Sequence, residues 1–167
     1  KVENNILYSA DGTKVVYVPS DWAVKTGEDV LSFASGVTSI ESHALSDVRF
    51  VTSITFPSTL KTIKDRAFHY NPNYKGAIVL PDSLTSLGIE AFMNTKITSV
   101  SFGSGLNEIG EAAFYACRGL SVINIPGNVK KIGSDAFMGC SISKVTLNEG
   151  VEEIGSGAFY YYPETDE

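Results

Sequence analysis

Apolar residues in this chain recur on a period of 22 to 24 residues, much longer than the repeat of a strand or a helix. The pattern is anchored on Ala44, Ala67, Ala91, Ala113, Ala136 and Ala158, with steps of 23, 24, 22, 23 and 22 residues. Phe follows the alanine in five units and Leu45 in the first. Four residues before it stand Ile40, Ile63, Leu87, Ile109, Ile132 and Ile154. Seven before it stand Val37, Leu60, Leu84, Leu106, Val129 and Val151. Eleven before it stand Phe33, Phe56, Leu80, Phe102, Ile125 and Leu147. Thirteen before it stand Leu31, Ile54, Ile78, Val100, Ile123 and Val145. Between these columns the residues are mostly Ser, Thr, Asn, Lys, Glu and Gly. A fixed period of this size means a solenoid, in which each unit buries its apolar face by stacking on the next.

The columns at thirteen and eleven are two apart, so they share one face of a short strand. Pro57, Pro81 and Pro126 follow it, with Gly103 and Asn148 in two other units, so the strand ends at once. Gly110, Gly133 and Gly155 mark a second bend, through positive φ or close packing. The Ala-Phe step then lies in a compact turn or a single 3₁₀ turn, and no unit has room for a long helix. Five stacked phenylalanines dominate the core, each worth roughly 1.5–3 kcal/mol on burial.

Ahead of the repeats, Ile6-Leu7-Tyr8 and Val15-Val16-Tyr17-Val18 flank Asp11-Gly12, a hairpin signal. The expected organisation is an N-terminal hairpin cap over 1–27, a β-rich solenoid of about six units over 28–162 and an acidic tail over 163–167. A cap is needed because a bare end exposes strand edges and core. Trp22 is expected in a loop, plugging that end. At the other end, Tyr160, Tyr161 and Tyr162 cover the last coil, or the chain continues beyond it.

The stretch Leu120-x-x-Ile123-x-Ile125-x-x-Asn128 fits the leucine-rich repeat signature. Val51-x-x-Ile54-x-Phe56, Ile97-x-x-Val100-x-Phe102 and Ile142-x-x-Val145-x-Leu147 repeat its first half. The second half, as in Val129-Lys-Lys-Ile132-Gly-Ser-Asp-Ala136-Phe137-Met-Gly-Cys140, resembles the BspA-like, treponema-type class of bacterial leucine-rich repeat. The resemblance covers about residues 28–162. It departs from the ordinary signature in the Asn column, which reads Thr59, Ser83, Gly105, Asn128 and Gly150, so the asparagine ladder is mostly absent. Leu45 makes the first unit a degenerate or capping repeat, and an extra residue near Asn71-Pro72-Asn73-Tyr74 bulges the second. The resemblance implies a protein outside the cell or on a bacterial surface, adhesin-like in several relatives, with no shared catalytic residues.

Composition narrows the partners. Lys and Arg total 13 against 19 Asp and Glu, a net charge of −6 with pI about 4.9. Nucleic acid needs clustered basic residues, and anionic membranes need the same. No apolar run is long enough to span a bilayer. Lys1 is not a natural start, so an export signal is expected to lie outside this segment.

Candidate chemistry is sparse. Cys117 and Cys140 both sit four residues after the repeated Ala, stacked one coil apart. They are two buried thiols or a disulfide across the coils; two cysteines without histidine do not make a zinc site. His43 and His69 fall in different columns, and no Ser or Cys pairs with either as nucleophile and base. Glu108, Glu111, Glu149, Glu152 and Glu153 form a solvated acidic edge without the spacing of a calcium loop. Gly103-Ser104-Gly105 lacks the third glycine of a dinucleotide loop and reads as a turn. No cofactor is implied.

The outward strand face is the candidate binding surface: Ser53, Thr55, Val79, Ser99, Ser101, Asn124, Lys144 and Thr146, with Ala77 and Val122 between them. Its Thr and Ser rows are too interrupted for ice binding. The tyrosines two or three after the repeated Ala (Tyr70, Tyr115, Tyr160, Tyr161) form a second candidate for protein or sugar contact. The leading function is a non-enzymatic, monomeric interaction module that binds an extracellular protein or glycan. The alternative is a spacer repeat with no ligand of its own.

Overall fold

The computed structural model describes residues 1–48 and 50–162; the acidic tail at 163–167 lies outside the described residues. The chain is a β-rich solenoid of six coils. It opens with β1 (Val2–Glu3), β2 (Ile6–Tyr8), β3 (Lys14–Tyr17) and helix α1 (Trp22–Thr26). Each coil then contributes two strands. The longer ones are β4 (Val30–Ser32), β6 (Ser53–Thr55), β8 (Ala77–Val79), β10 (Ser99–Ser101), β12 (Val122–Ile125) and β14 (Lys144–Leu147). The shorter ones are β5 (Ser39–Ile40), β7 (Thr62–Ile63), β9 (Ser86–Leu87), β11 (Glu108–Ile109), β13 (Lys131–Ile132) and β15 (Glu153–Ile154).

Three ladders join coil to coil. The first runs through the longer strands, which pair in parallel as β4–β6, β8–β10 and β12–β14. Leu31 lies against Ile54, Ile78 against Val100 and Ile123 against Val145, so the column thirteen before the alanine is in register. The second runs through the two-residue strands β5–β7–β9 and β11–β13–β15, with Ile40, Ile63 and Leu87 in register. Sequence reasoning placed only a bend here, because two residues are too few to show a strand period.

The third ladder is made of turns. The N–H of Leu45, Phe68, Phe92, Phe114 and Phe137 donates to the carbonyl of Ala67, Ala91, Ala113, Ala136 and Ala158 in the next coil, each at 2.8 Å. Alternate N–H groups turn inward within their own coil: Ala113 bonds to Gly110 at 3.3 Å, Tyr115 to Ala112 at 3.0 Å and Cys117 to Phe114 at 3.2 Å. The Ala-Phe step is therefore a run of overlapping β-turns, in place of the single 3₁₀ turn expected as one option.

This geometry forces left-handed backbone at non-glycine residues. The residue before the repeated Ala has φ of 58° at His43, 57° at Arg66, 54° at Glu90, 50° at Ala112 and 55° at Asp135. Three residues after it, Asp47, Tyr70, Asn94 and Ala116 have φ between 54° and 60°. Such residues cost roughly 1–2 kcal/mol each. The neighbouring coil holds them there: Arg66 donates to Ile89 and Tyr70 to Met93, both at 2.9 Å.

The repeated phenylalanines stack down the interior. Centroids of Phe68, Phe92, Phe114, Phe137 and Phe159 are 4.7, 5.4, 5.2 and 5.4 Å apart, and no pair is tilted by more than 10°. Beside them runs a column of small polar side chains. Asn71 Nδ2 donates to Leu45 O at 2.8 Å, Cys117 Sγ to Phe92 O at 3.0 Å and Cys140 Sγ to Phe114 O at 3.1 Å. The cysteines are free thiols that satisfy buried carbonyls of the previous coil. The contact with Cys117, together with burial, pushes the Cys140 thiol up from its ordinary range.

The sparse asparagine column does the same work with hydroxyls. Thr59 Oγ1 donates to Val37 O at 2.7 Å, Ser83 Oγ to Leu60 O at 2.6 Å and Asn128 Nδ2 to Leu106 O at 2.6 Å. The extra residue of the second unit does not merely bulge outward: Asn71 and Tyr74 are buried, and the Tyr74 hydroxyl donates to Ala77 O at 3.0 Å.

At the N-terminal end, β2 and β3 form the antiparallel hairpin and β3 pairs in parallel with β5. Trp22 starts a helical turn and is not in a loop; it is buried and its Nε1 donates to Asn4 O at 2.8 Å. The sixth coil differs from those before it. Val145, Leu147 and Ile154 are 36%, 43% and 48% exposed, whereas Ile123, Ile125 and Ile132 one coil earlier are fully buried. Tyr160 and Tyr161 stand exposed, and Tyr162 reaches sideways to Tyr115 with 3.2 Å between hydroxyls.

Two predictions follow from this packing. Phe114→Asp is expected to cost more than the roughly 3–5 kcal/mol typical of deleting a core Phe, whereas Asn124→Asp on the outer strand face stays within about 0.5 kcal/mol. Urea denaturation followed by circular dichroism measures both. Stability is also expected to fall at both pH extremes. The Ser9 hydroxyl and Thr13 hold Asp11 at about 2, below its usual 3.8, and the Arg66 guanidinium holds Glu90 below its usual range. Carboxyls depressed on folding add stability that is present above the unfolded pKa and lost as pH falls through the folded one. Burial pushes the Tyr74 phenol up from 10.0 to about 12, so its contribution is lost as pH rises across that window. The urea midpoint should be flat near neutrality, fall below about pH 4 and fall above about pH 10. Tyr74→Phe should flatten the alkaline limb.

Candidate interaction surfaces

The strand face is assembled from alternate residues of the longer strands. Parallel in-register pairing puts Val30 beside Ser53, Ala77 beside Ser99 and Val122 beside Lys144 in one column. The other column sets Ser32 beside Thr55, Val79 beside Ser101 and Asn124 beside Thr146. All eight candidate residues thus lie on one side, Ser53 half-buried and the others exposed. Val30 and Ser32 extend the face into the first coil; they occupy the same columns and were legible from the period. Of these twelve outward positions only Lys144 is charged, in a chain that is 19% charged. Val79 and Val122 are 64% and 54% exposed, so the face is nearly uncharged and partly apolar. Depletion of charge is the one feature it shares with an interface core. Asn124 is partly committed, since its Oδ1 accepts from Asn148 Nδ2 at 2.9 Å.

The second ladder carries a feature that sequence reasoning missed. Gly88, Gly110, Gly133 and Gly155 follow the two-residue strands in consecutive coils and floor a trench of about 420 Å³. Their φ is not positive. Close packing demands them: a Cβ at Gly110 would lie 2.6 Å from Leu87 O, and one at Gly133 would lie 2.6 Å from Glu111 N. The signal in the sequence was the glycine column itself, whose bend fits positive φ or close packing; the second holds. The acidic edge is in fact a mixed ladder, with Glu152 3.4 Å from Lys130 and Lys131 3.7 Å from both Glu108 and Glu153.

The other candidates resolve simply. His43 Nδ1 lies 3.3 Å from Ser46 Oγ, and burial lowers the pKa of His69. No group of three His, Cys, Asp or Glu among the described residues could hold a metal ion. Tyr70, Tyr160 and Tyr161 are exposed, but Tyr70 lies several coils from the other two. Among the described residues no helix is long and apolar enough to cross a membrane.

The profile of the BspA type leucine rich repeat region matches residues 38–165 in six copies. The chain belongs to the BspA-type leucine-rich repeat family. Its fold is similar to that of the Treponema pallidum leucine-rich repeat protein, with TM-score 0.75 and 22% identity over 97% of this chain and 91% of that one. A leucine-rich repeat protein from Eubacterium ventriosum also matches at TM-score 0.75, with 19% identity over 97% of this chain. This chain spans 50% of the Eubacterium protein's length. The pneumococcal vaccine antigen PcpA matches at TM-score 0.56 and 17% identity, over 88% of this chain and 47% of its own. At these identities the likeness is one of fold. Comparison with curated proteins gives no match.

The glycine requirement makes a direct prediction. Gly133→Ala should destabilise the protein by about 1–3 kcal/mol, because its Cβ meets backbone that cannot move aside. Ser101→Ala on the strand face should change stability by less than about 0.5 kcal/mol. Urea midpoints of the two variants measure the contrast.

Proposed function

We propose that this BspA-type repeat domain is a non-enzymatic interaction module, displayed at a bacterial surface or released outside the cell. It binds an extracellular protein or glycan through the strand face. The observation that carries this reading is the face itself: two in-register columns of Ser, Thr, Ala, Val and Asn, with one charge in twelve positions across six coils. The family and its solved relatives, one of them a pneumococcal vaccine antigen, support the bacterial-surface setting. Binding on such a surface proceeds by shape and polar complementarity over several coils, with exposed valines providing apolar contact.

The test is a binding screen of the folded protein on immobilised extracellular-matrix glycoproteins and a glycan array. It is followed by Ser99→Lys, Ser101→Lys, Asn124→Lys and Thr146→Lys combined in one chain. Saturable binding is expected, with about a ten-fold or greater loss in the combined variant while its circular dichroism is unchanged. Unaltered binding by the folded variant would sink the assignment to this face. No binding by the parent protein to either panel would favour the spacer reading.

A further inference from the structure

The two cysteines of the chain share one column, four residues after the repeated alanine of the fourth and fifth coils. That column calls only for a small, buried, polar side chain: Asn71 fills it in the second coil and Thr95 in the third. Donor duty alone therefore does not explain thiols in two successive coils. What a neighbouring pair of thiols adds, and Asn or Thr cannot, is the capacity to form a covalent bond.

The geometry allows that bond. Phe114 and Phe137 of the same two coils have ring centroids 5.2 Å apart. A step of about that size lies within the roughly 4.4–6.8 Å that separates the Cα atoms of a disulfide. Cys140 Sγ already leans toward the fourth coil, where it donates to Phe114 O at 3.1 Å, and Cys117 Sγ leans the other way, to Phe92 O at 3.0 Å. The bond therefore requires Cys117 to rotate about its Cα–Cβ bond toward the fifth coil. It also removes both S–H donors, although Phe114 O keeps the N–H of Cys117 at 3.2 Å.

The bond would cross a junction where the first ladder is interrupted. The turn ladder and the second ladder join the fourth coil to the fifth, through Phe114 N–H to Ala136 O at 2.8 Å and through Ile109 against Ile132. The longer strands do not: among the described residues β10 pairs with β8 and β12 with β14, and β10 is not paired with β12. Cys117 and Cys140 are 0% and 2% exposed, so the closed pair is out of reach of a dissolved reagent. Contact with Cys117 and burial push the Cys140 thiol up, which keeps it protonated near neutrality. Reaction therefore waits on local opening of this junction.

We propose that Cys117 and Cys140 are a redox-responsive pair that closes to a disulfide between the fourth and fifth coils, with a small-molecule disulfide such as oxidised glutathione as the oxidant. On opening, one cysteine thiolate attacks a sulfur of the oxidant and releases one glutathione thiol. The second attacks the resulting mixed disulfide and releases the other. Two cysteine thiols are oxidised to one disulfide, and one glutathione disulfide is reduced to two thiols, which take up the two protons. The extracellular setting proposed above is one in which such disulfides persist. The chemistry does not depend on what the strand face binds.

The test treats the folded, reduced protein with oxidised glutathione at about pH 8, in buffer and in urea just below the unfolding midpoint. Thiols are counted after denaturation and the intact mass is read. Loss of both thiols is expected, with a mass lower by two hydrogens, and faster in urea than in buffer. The oxidised protein should unfold at a urea midpoint higher by about 1 M or more, and dithiothreitol should return it to the parent value. Cys117→Ser and Cys140→Ser, which keep a donor in the column, should each show no such rise after the same treatment. Thiols that survive in urea, glutathione adducts or disulfide-linked dimers as the only products, or an oxidised protein no more stable than the reduced one would each overturn the proposal.

Discussion

Everything in this molecule depends on hydrogen bonds that run along the solenoid axis from one coil's backbone to the next. The tightest set is the turn ladder, where five N–H groups around the phenylalanine column meet the following alanine's carbonyl at one distance, 2.8 Å. That regularity fixes the alanine. A larger side chain at this column would press on the coil behind it, where Ala67, Ala91, Ala113 and Ala136 are fully buried. It also fixes the stacking of the phenylalanines, whose near-parallel rings sit at about the coil spacing. Stacking then buries apolar surface that no single coil could bury alone.

The same ladder explains the backbone strain. Two left-handed residues per coil would be unfavourable in an isolated loop of this composition. Here Asp47, Arg66, Tyr70, Glu90, Asn94, Ala112, Ala116 and Asp135 each sit where the N–H meets a carbonyl of the next coil, and the unpaired alternative would cost a backbone hydrogen bond. Asn71, Thr95, Cys117 and Cys140 form an inner column: the Asn71 amide and the two thiols reach carbonyls of the coil before, and Thr95 Oγ1 lies 3.2 Å from the Cys117 thiol. Chemically different residues are interchangeable there because each is small and carries a donor. Thr59, Ser83 and Asn128 show the same substitution of donors at the opposite corner of the coil.

With the interior so fully specified, the outward positions are released from structural duty, and the two outer surfaces differ in kind. The strand face is nearly uncharged and presents small polar and β-branched side chains. The second ladder is charged on its walls and bare on its floor, because its glycines must let the coils approach. Interaction by surface complementarity suits the first. Neither surface needs mobile parts, since its inner positions lie between coils on both sides and only those of the first and sixth coils lie at an end.

The period of the alanines determined the architecture: a coil of 22 to 24 residues with six apolar columns can bury itself only by stacking, and the family follows from the same columns. The outward strand residues were legible for the same reason, since alternation within a three-residue strand decides which side a residue faces. The two-residue strands, the chain of turns around Ala-Phe and the left-handed residues were not legible. Arg66, Glu90 and Ala112 carry no local preference for positive φ; a hydrogen bond to a residue some 20 positions later puts them there. Whether Cys117 and Cys140 were thiols or a disulfide was likewise open until their carbonyl partners were seen. The trench needed the fold most of all, because a glycine that permits a bend and a glycine that permits close approach look the same in sequence. Only the stacked coils show which constraint acts, and only they bring Asp65, Glu108 and Glu153 to the walls of one groove.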